Sequence, residues 1–420
     1  MIENQTGLLD EIRSRFAHVT TCPIEGERIF FENAGGSLTL NSVVETSARM
    51  AAMPDNQGRE NAASKELMRQ INEAKAKAHA FFNAKDGQVF VGESGTELLF
   101  RLLSVACLGV TKPGVVLGST LEHPASRSAA ARWAGVAGLK EVVVAHDDAT
   151  GTVTVDDYRA AITPDVKVAT IIHTSPVTGM GVDIAAIAQA IRSVAPECFI
   201  IVDGIQHAAH GGIDVDAAGI DGYVISPYKV FSRHGYGLAW ISDRLAALPH
   251  NALIGGPELN WEMGTRDTGS YATFSDVVDY LDWLGGRFTD SSDLRLRLEA
   301  AGRAMKAQEA ALVDAMIHGT GNQKGLAELD GVSVIGGLDN PAREGLVCLS
   351  VAGVDSVDLV KRLNDYGIRT HVRKADHYSG NILRPLGLAS AVRVSLAHYN
   401  SREEVARFLS AMRAITEEGA

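Results

Sequence analysis

The chain has 420 residues and a formal net charge of -12, from 51 acidic against 39 basic side chains. This balance excludes an extended basic footprint for nucleic acid or an anionic membrane surface and leaves small ligands open. The length suits a large domain with a smaller companion, and four cysteines without CxxC spacing (Cys22, Cys107, Cys198 and Cys348) read as buried thiols, neither a zinc site nor a disulfide framework.

The opening MIENQTGLLDEIRSRF carries acids where a signal peptide has a basic n-region, and no apolar run approaches the roughly 20 residues of a membrane span, so a cytoplasmic protein is expected. A helix is predicted over SKELMRQINEAKAKAHAFF, followed by a strand QVFVG, a helix TELLFRLLSVACLG, a strand GVVLG, a helix from about Pro124 and a strand EVVVAH. Further along come VKVATIIHT, the helical IAAIAQAIRSVA, then CFIIVDG, GYVISP and YGLAWIS. Short β-rich runs separated by amphipathic helices predict an α/β fold with a mostly parallel sheet covered on both faces. After about residue 285 a long Arg- and Ala-rich helix precedes GLVCLSVAG, VDLVKRLNDYG, AVRVSLA and REEVARFLSAM, a smaller C-terminal α/β domain. The expected division is an N-terminal segment 1–28 packing with the small domain, a large domain 29–285 and a small domain 286–420.

Open α/β sheets bind ligands at the carboxyl ends of their strands. Glu93 and Ser94 end QVFVG, His173 ends VKVATII, Asp203 ends CFIIV and Ser226 to Lys229 follow GYVI, so all are expected on one rim. In VISPYKVFSRHGYG, Lys229 has no acidic neighbour to pair with. Its stem could cover apolar surface while the ammonium reaches water; the alternative is a partly desolvated amine with a lowered pKa, able to form a Schiff base. ESGTELLF places Ser94, Gly95 and Thr96 between strand and helix, either as an ordinary N-cap or as a phosphate site built from free amides and hydroxyls. Asp203 before Gly204 either caps a turn or pairs with a protonated ring nitrogen. At about 4 Å and an effective dielectric near 20 such a pair gains about 4 kcal/mol, roughly three pK units, enough to keep a pyridine protonated at neutral pH. Phosphate cradle, pyridinium carboxylate and Schiff-base lysine together describe pyridoxal 5'-phosphate.

The sequence resembles the class V aminotransferases of fold type I, in particular their cysteine desulfurase-like branch, with VDGIQHAAHGGIDVDAAGIDGYVISPYK matching closely and without gaps. The resemblance implies a seven-stranded, mostly parallel sheet in the large domain and a homodimer with shared active sites. It also implies that Asp203 pairs with the pyridine nitrogen, Gln206 contacts the phenolic oxygen, Ser226 helps hold the phosphate, Tyr228 flanks the cofactor and Lys229 carries it. EHPAS resembles the segment whose histidine stacks on the ring, here His123, and MGT the segment whose threonine reaches the partner subunit's phosphate, here Thr265. VRVSLAHYNSREEV resembles the signature whose arginine binds the substrate carboxylate, here Arg393, and FFENAGGS the loop beside the substrate, around Asn33. No metal is implied, although Asp203, His207 and His210 also have spacings that could place them on one helical face.

The departures concern the reaction. Where desulfurases carry a loop cysteine about fifteen residues before the carboxylate arginine, KADHYSGN places Tyr378, expected beside the substrate, and the nearest upstream thiol is Cys348 within a predicted strand. Pro176 stands where many relatives have an asparagine, Tyr228 where they have a histidine, and Arg233 and His234 replace a Gly-Pro-containing turn. The expectation is an enzyme in which Lys229 removes the α-proton of a small amino acid, with amino transfer to a keto acid foremost. β-Elimination or C-S lysis, racemisation, desulfurase chemistry and an inactive protein of the same fold are the alternatives.

Overall fold

A computed structural model describes residues 2–321 and 323–418 of the protein. The large sheet has seven strands: β1 Gln88–Gly92, β2 Val115–Ser119, β3 Lys140–Val144, β4 Val166–Ile172, β5 Phe199–Asp203, β6 Gly222–Ile225 and β7 Gly237–Ile241. Their spatial order is β1-β7-β6-β5-β4-β2-β3, and β7 alone runs antiparallel to its neighbours. Side chains alternate across the sheet. Val116, Val168 and Ile201 face one core, while Leu117, Ala169, Ile200 and Val202 face the other. Both faces are therefore apolar, as a sheet covered on two sides requires.

Four helices supply much of the cover: α1 Ala62–Phe82, α2 Gly95–Gly109, α3 Pro124–Ala137 and α4 Ile184–Val194. Each start has a local cause. Ser94 accepts a hydrogen bond from the Glu97 amide to begin α2, Pro124 occupies the first turn of α3 where no N–H is needed, and Asp183 caps α4. Leu98 and Leu102 of α2 pack with Ala129 and Ala130 of α3 on one face; Ile187 and Ile191 of α4 pack on the other with Ile71 and Phe82 of α1.

Two long helices follow, α5 Gly269–Gly285 and α6 Leu294–His318, and the second is shared between two cores. Leu298, Ala301 and Met305 join the large-domain cluster, whereas Leu312, Val313 and Met316 join the smaller one, so residue 286 does not separate the two packing units. The small domain carries an antiparallel sheet, β8 Val332–Val334, β9 Leu346–Val351, β10 His371–Lys374 and β11 Ser390–Ser395, in the order β8-β9-β11-β10. Helices α7 Ser356–Asp365 and α8 Arg402–Glu418 pack on it.

The N-terminal segment differs from expectation. Ile2, Leu8, Ile12 and Phe16 join the large cluster, while Ile29 and Phe31, assigned from sequence to the large domain, join the small one. The reason is an aromatic nest: the Phe16 ring lies 5.5 Å from Phe231, 5.2 Å from Tyr280 and 4.6 Å from Tyr399. Polar atoms of the segment also reach α8, Arg13 pairing with Glu404 at 3.0 Å. Among the described residues no helix is long and apolar enough to cross a membrane.

Phe16→Ala should cost about 3–5 kcal/mol, the range for emptying a buried aromatic site. The exposed Val44→Ala should stay within about 0.5 kcal/mol, and urea unfolding of both variants checks the difference.

Candidate active site

The carboxyl ends of β5 and β6 converge on a small cleft. Asp203 and Gln206 enter from the end of β5, and Ser226, Tyr228 and Lys229 from the turn after β6; Thr96, His123, Thr174 and Pro176 complete the walls. A larger hollow, bordered by Arg127, His377 and Arg384, is lined by neither Lys229 nor Asp203. The convergence of titratable groups singles out the smaller cleft.

A single 3-10 turn, Pro227–Lys229, aims Lys229 inward, and its Nζ donates to Gln206 Oε1 at 3.2 Å. The amine is pulled down to about 7, first by burial and then by the positive charge of Arg393, with Asp203 opposing. A substantial fraction is therefore the free, nucleophilic amine at neutral pH. The ammonium does not reach out to solvent past an apolar stem.

Asp203 is 2% exposed, accepting from Ser126 Oγ at 2.9 Å and from the Ile205 amide at 3.1 Å. Burial raises its pKa, while those two donors and Lys229 favour the charged form. Among the described residues no cation is hydrogen-bonded to this carboxylate, which suits a protonated ring nitrogen.

At the start of α2, a Cβ on Gly95 would come within 2.5 Å of Ser226 Oγ, so only glycine leaves that hydroxyl and the adjacent amide free to face a phosphate. Thr96 lines the cleft, whereas the Ser94 hydroxyl serves as the helix cap. His123 caps α3 by accepting from the Ala125 amide at 3.2 Å. Burial, then Lys229 and Arg373, push the imidazole down to about 3, so it is a neutral ring able to lie over a second aromatic ring. These residues fit pyridoxal 5'-phosphate at its ring nitrogen, its phosphate and its reactive carbon.

On the substrate side Arg393, from β11, is 3% exposed and donates through Nη1 to the Pro176 carbonyl at 2.9 Å. Its Nε is buried and has no hydrogen-bond partner among the described residues, an unsatisfied donor of the kind a carboxylate pairs with. Burial, with Arg373 nearby, lowers its pKa to about 9, and it stays charged at neutral pH. Pro176 is anomalous in sequence, but it acts here through its backbone carbonyl.

Other expected residues fall differently. The Asn33 amide donates to the Ser395 carbonyl at 2.8 Å and accepts from the Tyr399 hydroxyl, so its polar atoms hold the chain to β11 and are not available to a substrate. Its loop instead borders the site through glycines: a Cβ on Gly35 would lie 3.4 Å from Arg393, and one on Gly36 would lie 3.3 Å from the Tyr228 ring. Tyr228 stacks on His234 at 4.3 Å, Tyr378 is 46% exposed with its ring 6.0 Å from His123, and Arg233 pairs with Asp267. Thr265 is exposed on a loop and does not line this chain's cleft. His173 stacks on His207 at 3.5 Å and bonds Tyr223, so it faces a second layer. His207 and His210 each face a different carboxylate, Glu344 and Glu309, and among the described residues no His/Cys/Asp/Glu group is placed to hold a metal.

Sequence reasoning missed Ser126, Thr174 and Arg373. Ser126 had a signal, three residues after His123 on the same helical face; Arg373 had none, because strand pairing across β10 and β11 brings it near.

Residues 29–408 match the family model described as "Aminotransferase class-V". The chain belongs to the class V aminotransferase family. Members of this family use pyridoxal 5'-phosphate, and the protein is a pyridoxal-phosphate enzyme of the transferase or lyase type. It is 27% identical over 96% of its length to "Cysteine desulfurase-like protein ustD" of Aspergillus flavus, covering 89% of that protein. It is also 27% identical to a Pseudomonas putida protein named "Probable cysteine desulfurase", with 80% of each chain covered. The fold is similar to that of a cysteine desulfurase from Thermococcus onnurineus, with a TM-score of 0.81, 21% identity, and 97% and 98% of the two chains covered.

Acylation of Lys229 in the cofactor-free protein should rise with pH and level off above about 7, as its depressed pKa requires. Arg393→Ala removes a neighbouring positive charge and should move the midpoint upward; peptide mapping of a pulse-labelled pH series measures both.

Proposed function

We propose that this family member is a lyase that eliminates the β-substituent of a small sulfur-bearing α-amino acid, and that it releases the sulfur without passing it to a protein thiol. One observation carries this reading: the cleft holds a lysine amine with a depressed pKa, with the positive charge of Arg393 nearby, and among the described residues that line it there is no thiol. Cys107, Cys198 and Cys348 are buried, and burial raises them to about 12, 12 and 11, so none is a ready thiolate at neutral pH. At the expected cysteine position Tyr378 presents a phenol, which cannot take up a sulfur atom.

The roles follow from position. Arg393 grips the α-carboxylate through its Nε edge, with Pro176 fixing the other side of the guanidinium. Lys229, once displaced by the substrate amine, removes the α-proton through Nζ. With the cofactor bound, Asp203 would hold a proton on its ring nitrogen and His123 would cover its ring. When bound, pyridoxal 5'-phosphate supplies the electron sink that makes the α-proton removable. Loss of the β-substituent then leaves, after water addition, a keto acid and ammonia. The names of the two curated relatives support C-S chemistry and give none to amino transfer, the foremost expectation from sequence. Amino transfer to a keto acid is the second reading, because Lys229 and Arg393 would serve it equally.

The working unit we propose is a homodimer. Thr265 is exposed beside a loop that presents Leu253, Ile254 and Leu259 to solvent, an apolar surface suited to a second copy.

With cysteine as substrate, sulfide and pyruvate should form in equal amounts, without alanine and without persulfide on any of the four cysteines. Alanine with a protein persulfide would overturn the reading, and keto-acid-dependent amino transfer without sulfide would establish the second one. Sedimentation should show a dimer, with Ile254→Asp shifting it towards a monomer of weaker cofactor affinity; a fully active monomer would refute the shared site.

A further inference from the structure

A line of side chains leaves the cleft towards the interior. Lys229 Nζ donates to Gln206 Oε1 at 3.2 Å, Gln206 Nε2 lies 3.1 Å from His210 Nε2, and His210 Nδ1 lies 2.7 Å from Glu309 Oε2. Gln206, His210 and Glu309 are 4%, 3% and 2% exposed, so water does not readily replace any member. Glu309 comes from α6, which spans both cores. The other titratable groups that act on His210 are Glu344, Lys229 and His398, and His207 acts on both Glu309 and Glu344.

A primary amide has one accepting end and one donating end. As placed, the Gln206 carbonyl accepts from the lysine amine and its NH2 donates to His210 Nε2. In that placement Nε2 is bare and Nδ1–H donates to Glu309, the neutral form of His210, while the Glu309 carboxylate favours the charged form. The arrangement suits a lysine whose nitrogen carries donor hydrogens. Once Lys229 is bonded to the cofactor's carbonyl carbon, the nearest new polar atom is the ring oxygen on the adjacent ring carbon, an acceptor. A carbonyl facing that oxygen repels it, whereas an NH2 group donates to it. Turning the amide directs the Gln206 carbonyl at His210 Nε2, which must now carry a proton.

Resting on the cofactor reading, we propose that His210 and Glu309 are positioning residues that set which end of the Gln206 amide faces Lys229, by His210 taking a proton from solvent when the lysine carries the cofactor. Glu309 makes that proton tenable: burial opposes a charge on His210, but the carboxylate raises its pKa nonetheless. A merely structural histidine would need only one of these states.

The test is the pH titration of the visible absorption of the lysine-bound cofactor in the holoenzyme, which reads the proton on the lysine-derived nitrogen and not turnover. A Gln206 NH2 that donates to the ring oxyanion competes with the internal hydrogen bond holding that proton, and so lowers the midpoint. His210→Phe and Glu309→Gln should each move the midpoint up by about one pH unit, a tenfold change in proton affinity, and Glu309→Asp should restore it. Loss of a structural contact alone would lower stability and leave the midpoint in place. If His210→Phe does not fold, the near-isosteric Glu309→Gln decides. A colourless wild type overturns the cofactor reading and this inference with it; a coloured wild type whose midpoint is unmoved in the variants overturns this inference alone.

Discussion

The site depends on the desolvation of one amine. Lys229 stands where burial and the guanidinium of Arg393 both act against its charge, and only Asp203 acts in favour. In water the same side chain would be protonated and inert at neutral pH, near its ordinary pKa of about 10.4. Much of the surrounding architecture follows from keeping that amine dry yet reachable: β6 ends beside it, a tight turn directs it inward, and the Gln206 amide meets it so that burial does not leave it without a hydrogen bond.

The neighbouring charges are arranged to make this tenable. Arg393 is itself buried, with the Pro176 carbonyl accepting from one side of its fork and its Nε left without a partner among the described residues. Asp203 is held by a hydroxyl and an amide, which satisfy the carboxylate without neutralising it. Below it, His207 with Glu344 and His210 with Glu309 form two buried pairs. Buried pairs of this kind contribute little net stability relative to apolar packing, so their place under the cleft is better understood through the orientation they impose than through the energy they add.

The two cores meet at this site. Lys229 and Asp203 come from the large sheet and Arg393 from the small one, and their relative placement rests on α6, whose first half packs in one cluster and whose second half packs in the other. Asn33 and Tyr399 add a second tie, joining the N-terminal loop to β11 immediately behind Arg393. Arg393 is thereby held at a fixed place relative to Lys229, as the function proposed for the pair requires.

The sequence by itself determined the element order, the two-faced sheet and the residues at the strand ends, because burial on both faces writes long apolar runs and helix starts carry their own capping residues. Lys229, Asp203 and Ser226 were legible as strand-end residues of one rim, and the structure brings them together with Gln206, which the family resemblance had marked, in one cleft. What only the tertiary structure decided was set by contacts between distant segments. Asn33 is committed to the chain at Ser395 and Tyr399, Pro176 acts through its carbonyl, and Arg373 arrives by strand pairing. Ile2, Leu8, Ile12 and Phe16 pack into the large core while charged residues of the same segment pair with the small domain, and α6 belongs to both, because a helix buries its apolar stripe against whatever surface the rest of the fold presents, and that surface has no local signature in the stripe itself.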